Sequence, residues 1–289
     1  MTKSDLKIKL EEWKKELKLN ELSEKTIINY SSDISKFILF ISNGSNDDNE
    51  EITKEHLINW KSYLKEKGLK TTSINRKIIS LNKFFSFCGD ENFTIKNIRI
   101  QKKSTIENLL TENELKRILN FAEKKEEYLI YYGVKTLALT GLRYSELKYI
   151  TCEACRDKKV RIENKGKVRE IPLEKNLAKE LLEWAKSRDI TSGMIFITKN
   201  GKFILNEQFS RKLKEVTGKA HGIKLSKVHP HAFRHFFAVN LLEAVNNNFA
   251  EVADLLGHSS LETTRIYLRT TLKEQREHIT NMSKKLKIN

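Results

Sequence analysis

Residues 92–103 read Asn92-Phe93-Thr94-Ile95-Lys96-Asn97-Ile98-Arg99-Ile100-Gln101-Lys102-Lys103, with four basic side chains, no acid and no helical stripe. Such a stretch separates domains, and we read 92–110 as a basic interdomain linker between an N-terminal domain, 1–91, and a second domain, 111–289. On its N-terminal side, apolar residues recur at helical spacing. Leu6, Leu10, Trp13 and Leu17 form one stripe, and Ile27, Tyr30, Ile34, Phe37 and Ile41 form another after the cap Ser23. A third helix is expected over Thr53–Lys67, with Leu57, Trp60 and Leu64 inward and Gly68 as its left-handed cap. The fourth carries Ile74, Ile78, Leu81 and Phe85 after Thr72 or Ser73 and stops at Gly89. Four helices of this length make a bundle.

On the C-terminal side, Thr111-Glu112-Asn113-Glu114 is a capping box leading into Leu115, Ile118, Leu119 and Ala122. Val160-Arg161-Ile162 and Val168-Arg169-Glu170-Ile171 flank Asn164-Lys165-Gly166, which reads as a β-hairpin with glycine in the turn. Met194–Ile197 suggests a further short strand, and helices are expected near 206–217, 231–245, 249–256, 260–269 and 273–286. The only prolines are Pro172 and Pro230. The fold class is therefore mainly α with a small β-sheet, the second domain being mixed α/β.

The 289 residues hold 54 Lys and Arg against 38 Asp and Glu, a formal net charge of +16, which points to a polyanion partner. Apolar runs such as Phe37–Ile41 are too short to span a bilayer, so no membrane partner is expected. The charged N-terminus lacks the features of a signal peptide. Together with three cysteines, Cys88, Cys152 and Cys155, too few and odd for a disulfide framework, this predicts a cytoplasmic protein. Cys152-Glu153-Ala154-Cys155 has the spacing of half a zinc site, but no second pair follows, and we take it as structural or incidental. No metal is expected.

Four pieces are chemically suggestive: Thr140-Gly141-Leu142-Arg143-Tyr144-Ser145-Glu146-Leu147; Lys165 of the hairpin; His231-Ala232-Phe233-Arg234-His235; and Leu256-Gly257-His258-Ser259-Ser260, followed by Tyr267. Each alone has an ordinary structural reading. Arg143 could pair with Glu146 on a helix surface, Gly257 could be a C-cap, and Tyr267 could be core.

In this order, the pieces resemble the tyrosine recombinase, or phage integrase, family. Arg143 sits in Thr-Gly-Leu-Arg-Tyr-Ser-Glu-Leu, and Lys165 in a Lys-Gly-x-x-Arg hairpin ending in Ile171-Pro172-Leu173. His231 and Arg234 lie in Pro-His-Ala-Phe-Arg-His, His258 in Leu-Gly-His-Ser-Ser, and Tyr267 in Thr-Thr-Arg-Ile-Tyr. The match spans about residues 111–270, and the N-terminal bundle is similar to the family's core-site DNA-binding domain, a SAM-like fold. The resemblance implies a C-shaped clamp on DNA, built from these two domains. It also implies the short two-domain kind similar to the Xer type or to transposon-encoded resolvases, without an arm-binding domain ahead of the first helix.

The implied chemistry is attack of Tyr267 on a DNA phosphate, giving a 3′-phosphotyrosyl intermediate that a 5′-hydroxyl then resolves. Arg143 and Arg234 would bind the nonbridging oxygens in bidentate fashion. His231 and His258 would add donors, with His231 a candidate to accept the phenol proton, Lys165 would protonate the leaving oxygen, and Glu146 would orient Arg143. No cofactor is expected. The implied partner is double-stranded DNA with inverted-repeat core sites, bound by a homotetramer or together with a related recombinase. Residues after Tyr267, including Leu272, Ile279 and Leu286, would form a tail helix docking on a neighbouring subunit. Lys70, Thr71, Thr72, Asn75, Arg76 and Lys77, with Lys25 and Asn29, form candidate groove-reading faces, and Lys96, Arg99, Lys102 and Lys103 candidate phosphate contacts. Relaxation of DNA in the manner of a type IB topoisomerase, or DNA binding without catalysis, are the alternatives.

Overall fold

The computed structural model describes residues 1–44, 47, 49–100, 109–164, 167–220, 222–246, 248–257, 279–283 and 285. The chain forms two compact units, Met1–Lys102 and Lys103–Asn289.

The first unit is built on α1 (Lys3–Leu19), α2 (Glu24–Gly44), α3 (Lys54–Glu66) and α4 (Thr71–Phe87). The stripes predicted from spacing line its core, where Trp13, Phe37, Trp60, Phe84 and Phe85 meet edge to face. Thr2 and Asp5 make the capping box of α1, while α4 begins at Thr71 without a side-chain cap, one turn position earlier than Thr72 or Ser73 suggested. The segment after α4 is fastened to it. Asn82 exchanges two hydrogen bonds with the backbone of Ile95, and Asn75 two with the backbone of Ile98. Asparagines seven apart share one helix face, so their amides hold the segment along it by pairing with its backbone N–H and C=O groups. Ile95 thereby joins the core, and Lys96 and Arg99 stay exposed.

The second unit comprises α5 (Glu112–Lys124), α6 (Tyr128–Thr140), α7 (Cys152–Asp157), the antiparallel strands β1 (Lys159–Asn164) and β2 (Lys167–Pro172), α8 (Lys175–Lys186), α9 (Asn206–Gly218), α10 (Pro230–Ala244) and α11 (Phe249–Leu256). The expected capping box of α5 is present, and Glu114 also accepts two hydrogen bonds from Lys227. Helices α6, α7 and α8 were not anticipated from spacing. The strand expected at Met194–Ile197 is reduced to isolated bridges, Thr151 to Met194 and Ile197 to Phe203. Ile195 and Phe196 are successive and both buried, so the segment crosses the core without the alternation of a strand. Residues 279–283 are helical; the remaining predicted helix near 260–269, and Leu272 and Leu286, lie outside the described residues. Among the described residues no helix is long and apolar enough to cross a membrane.

Candidate active site

The site forms where two helices end in left-handed turns. Helix α6 stops at Gly141 (φ 63°) and α11 at Gly257 (φ 62°), conformations glycine adopts without steric cost. A Cβ on Gly141 would strike Phe237 and Leu256, and one on Gly257 would strike the guanidinium of Arg169. The missing side chains therefore permit both the turns and the close approach of their neighbours.

Arg143 follows the first turn and precedes a short 3-10 segment, Tyr144–Tyr149. Its backbone N–H donates to Glu146 Oε2 at 2.8 Å and its Nη1 to Oε1 at 3.0 Å. The other terminal nitrogen, Nη2, donates to the carbonyl of Gly257 at 3.4 Å. Glu146 thus engages Arg143 at both its backbone amide and its guanidinium. Burial alone would push the Glu146 carboxyl up, but the Arg143 amide and the Arg169 and Arg143 guanidiniums outweigh it and hold it below the usual carboxylate range.

Arg234 projects from α10 into the core and is only 1% exposed. Its Nη1 donates to Gly141 O at 2.6 Å and its Nη2 to Leu256 O at 2.7 Å. One guanidinium therefore ties together the two turns. His231 lies one turn earlier on α10, where its side chain reaches the surface while neighbouring atoms enclose part of the imidazole. Its position is set by the helix start, where His229 Nδ1 accepts the Ala232 N–H and Pro230 occupies the first turn. The His231 and His235 rings meet edge to face with centroids 4.4 Å apart. Burial, and then the charges of Arg234, His229 and Arg143, push the His231 imidazole below its ordinary pKa, so it is neutral near pH 7.

Arg169 was quoted within the hairpin motif without a role, and the structure brings it into this cluster. It donates from Nη2 to Glu146 Oε2 at 2.8 Å and packs on Gly257. Its strand register offered a signal: Arg169 stands opposite buried Ile162, on the inward face, while Val168 points outward and is exposed. An inward arginine beside an outward valine reverses the usual pattern. Among the described residues, Arg143 and Arg169 thus share the carboxylate of Glu146, while Arg234 bonds to the carbonyls of the two adjoining turns. Such an excess of fixed cations is suited to a phosphate. Lys165, His258 and Tyr267 lie outside the described residues; Lys165 separates β1 from β2, and His258 follows Gly257 directly.

The candidate DNA-contacting residues divide. Lys25, Asn29, Lys70, Thr72, Arg76, Lys96 and Arg99 are exposed, and Thr71 is half-buried in the first turn of α4. Lys77 is corrected: it is 7% exposed, and its Nζ donates to buried Asp33 at 2.6 Å, which Ser80 and Arg76 also contact. A carboxylate enclosed between α2 and α4 requires such a partner. Asn75 is corrected as well, because both ends of its amide are taken by Ile98. Lys102 and Lys103 lie outside the described residues. Cys152 and Cys155 are free and buried, with burial pushing the Cys155 thiol up to about 12, which suits packing.

The phage integrase family model matches residues 108–274, and the phage integrase N-terminal SAM-like domain model matches residues 10–92. Tyrosine recombinase XerA of Pyrococcus horikoshii is 32% identical over 281 residues, covering 93% of this chain and 92% of that protein. Tyrosine recombinase XerD of Rickettsia bellii is 26% identical over 272 residues, covering 85% and 88% respectively. Among solved structures, a lambda integrase (75–356) dimer bound to a COC′ core site is similar with a TM-score of 0.71 at 22% identity, covering 92% of this chain and 95% of that one. The Tn1549 transposon integrase in complex with a circular intermediate DNA gives 0.70 at 20% identity, covering 97% and 99%.

Proposed function

The chain belongs to the phage integrase family of tyrosine recombinases, enzymes of site-specific DNA recombination, and from that premise we propose that Tyr267 is its nucleophile and that the cluster around Arg143 and Arg234 binds the scissile phosphate. The observation that carries this reading is the convergence of two guanidiniums, from α10 and from the turn after α6, on the turn that immediately precedes His258. In the attack, the Tyr267 oxygen forms a bond to phosphorus as the bond to the 5′ oxygen breaks. The phenol proton passes to His231, and Lys165 supplies a proton to the leaving oxygen. Negative charge on the nonbridging oxygens is met by Arg143, Arg234 and His258. Rejoining reverses these steps with the 5′-hydroxyl of a partner strand. The phosphodiester energy is conserved in the phosphotyrosyl link, so the chemistry calls for neither ATP nor a metal.

A phenol ordinarily ionises near pH ~10, and the surrounding cations favour its phenolate. For recognition, Lys25, Asn29, Lys70, Thr72 and Arg76 of the first unit face the duplex, with Lys96 and Arg99 on phosphates. The DNA partners of the similar solved structures support duplex DNA as the substrate. We extend this to inverted-repeat core sites, to a tetramer on DNA, to a tail that docks on a neighbouring subunit, and to action in the cytoplasm.

A nicked core-site duplex, in which the released fragment diffuses away, tests the assignment. Wild type accumulates a covalent protein–DNA adduct and Tyr267→Phe does not; equal adduct from both overturns it. Exchange between two labelled sites separates recombination from simple relaxation.

A further inference from the structure

Glu146 accepts three hydrogen bonds while almost fully buried: the Arg143 amide and Arg169 Nη2 at Oε2, and Arg143 Nη1 at Oε1. Arg143 and Arg169 come from segments that share no secondary-structure element, the turn after α6 and strand β2. The same Arg169 guanidinium lies against the Cα of Gly257, whose carbonyl accepts from Arg143 Nη2. The four residues therefore close a ring, Arg143 to Glu146 to Arg169 to Gly257 and back to Arg143. Arg169 is the one member that touches both the carboxylate and the glycine without touching Arg143 by a hydrogen bond.

We infer that Arg169 is a positioning residue for strand cleavage, holding the Glu146 carboxylate and the Gly257 turn in the geometry from which Arg143 meets the phosphate. The inference rests on the recombinase reading above. Its physical basis is the rigidity of the ring. A buried carboxylate that loses one of its two cationic partners is free to turn toward whatever donor remains, and Arg143 then loses its fixed counterpart. A guanidinium is suited to the task because it is planar and forked, so that one terminal nitrogen can bond to Glu146 while the rest of the group stands beside Gly257. Lysine has one point of charge and cannot hold both positions with a rigid fork. Strand alternation keeps Arg169 aimed inward, opposite Ile162, so its placement is set by the β1–β2 register.

The test compares cleavage of a nicked core-site duplex carrying an ordinary scissile phosphate with one carrying a methylphosphonate, which lacks the charge of one nonbridging oxygen. Arg169→Ala slows tyrosine-linked adduct formation on the phosphate about 10–100-fold. It slows it only a few-fold on the methylphosphonate, where Arg143 has less charge to meet. Arg169→Lys recovers part of the loss. In an Arg143→Lys background, Arg169→Ala adds little, because both act through one arrangement. Equal losses on the two substrates, or fully additive losses with Arg143→Lys, overturn the inference, as does a wild-type rate for Arg169→Ala. If Arg169→Ala does not fold, Arg169→Lys is measured on the same two substrates with the same criteria. A wild-type chain that forms no Tyr267-dependent adduct instead overturns the recombinase reading, and this inference with it.

Discussion

Arg234 donates from Nη1 to the carbonyl oxygen of Gly141 at 2.6 Å, joining α10 to a turn 93 positions earlier in the chain. Because Nη2 does the same for Leu256, this buried arginine ties two turns at short range, whereas the more exposed Arg143 reaches one, Gly257, at 3.4 Å. The two guanidiniums should therefore respond differently to substitution. Arg234→Ala leaves two buried carbonyls without their donor, at about 1–3 kcal/mol each, and is expected to lower the melting temperature as well as abolish cleavage. Arg143→Lys is expected to lose cleavage with little change in melting or in DNA affinity, since many phosphate contacts remain. Thermal melts and adduct assays on the two variants check this. Equal destabilisation by both would contradict the distinction.

With His231 as the proposed acceptor of the Tyr267 proton, its lowered pKa is expected to set an acid limb on the reaction. Burial, Arg234, His229 and Arg143 all favour the neutral imidazole, which is the form able to accept the Tyr267 proton. Cleavage is expected to hold steady as pH falls from 8 to the ordinary histidine value near 6.5 and to decline only below it. His231→Asn should cut the rate by roughly 10²–10⁴ and erase that limb. A pH–rate profile of single-turnover cleavage reads both effects, and an unchanged limb in the variant would remove His231 from the role.

Gly257→Ala places a side chain in a left-handed residue and against Arg169. The backbone strain alone is about 1–2 kcal/mol, and the guanidinium must also move. Reduced cleavage is expected together with a lower melting temperature. The contrasting control is Gly193→Ala, which also has positive φ but meets nothing within 4 Å, and should cost stability without cost to cleavage.

Lys77 and its neighbours separate fold from recognition. Removing Lys77 leaves buried Asp33 with only Arg76 and Ser80, so Lys77→Ala is expected to destabilise the first unit by roughly 3 kcal/mol. Its log–log dependence of DNA affinity on salt should match wild type. Lys25→Ala or Lys96→Ala, at exposed positions, should instead reduce that salt slope by about 1 each and leave melting unchanged. Titrations at several salt concentrations decide between the two patterns.

Helical periodicity made the first unit legible, because Leu6, Leu57, Ile74 and their kin bury one stripe per helix wherever the helices pack. Local chemistry likewise marked the capping box at Thr111 and Glu114 and the hairpin of β1 and β2. Lys77 and Asn75 misled because both stand beside buried residues on an otherwise polar, basic turn. Nothing in that turn reveals that Asp33, 44 residues away, or Ile98 waits for them. Met194–Ile197 misled for a related reason, since an apolar run of four reads alike as a strand or as a buried crossing.

By itself the sequence determined which residue types stand in which order: Arg143 with Glu146, Lys165, His231 with Arg234, Gly257 with His258, and Tyr267. That order, with the helical stripes and the basic segment 92–103, was enough for the family and the fold class to be named. Only the tertiary structure decided which cations are bound to oxygens of the protein itself. Arg234 bonds to two backbone turns, Lys77 neutralises a buried carboxylate, and Arg169 shares Glu146 with Arg143. The physical reason is that a guanidinium or ammonium binds any oxygen within reach, and which oxygen that is depends on segments brought together by packing of the core.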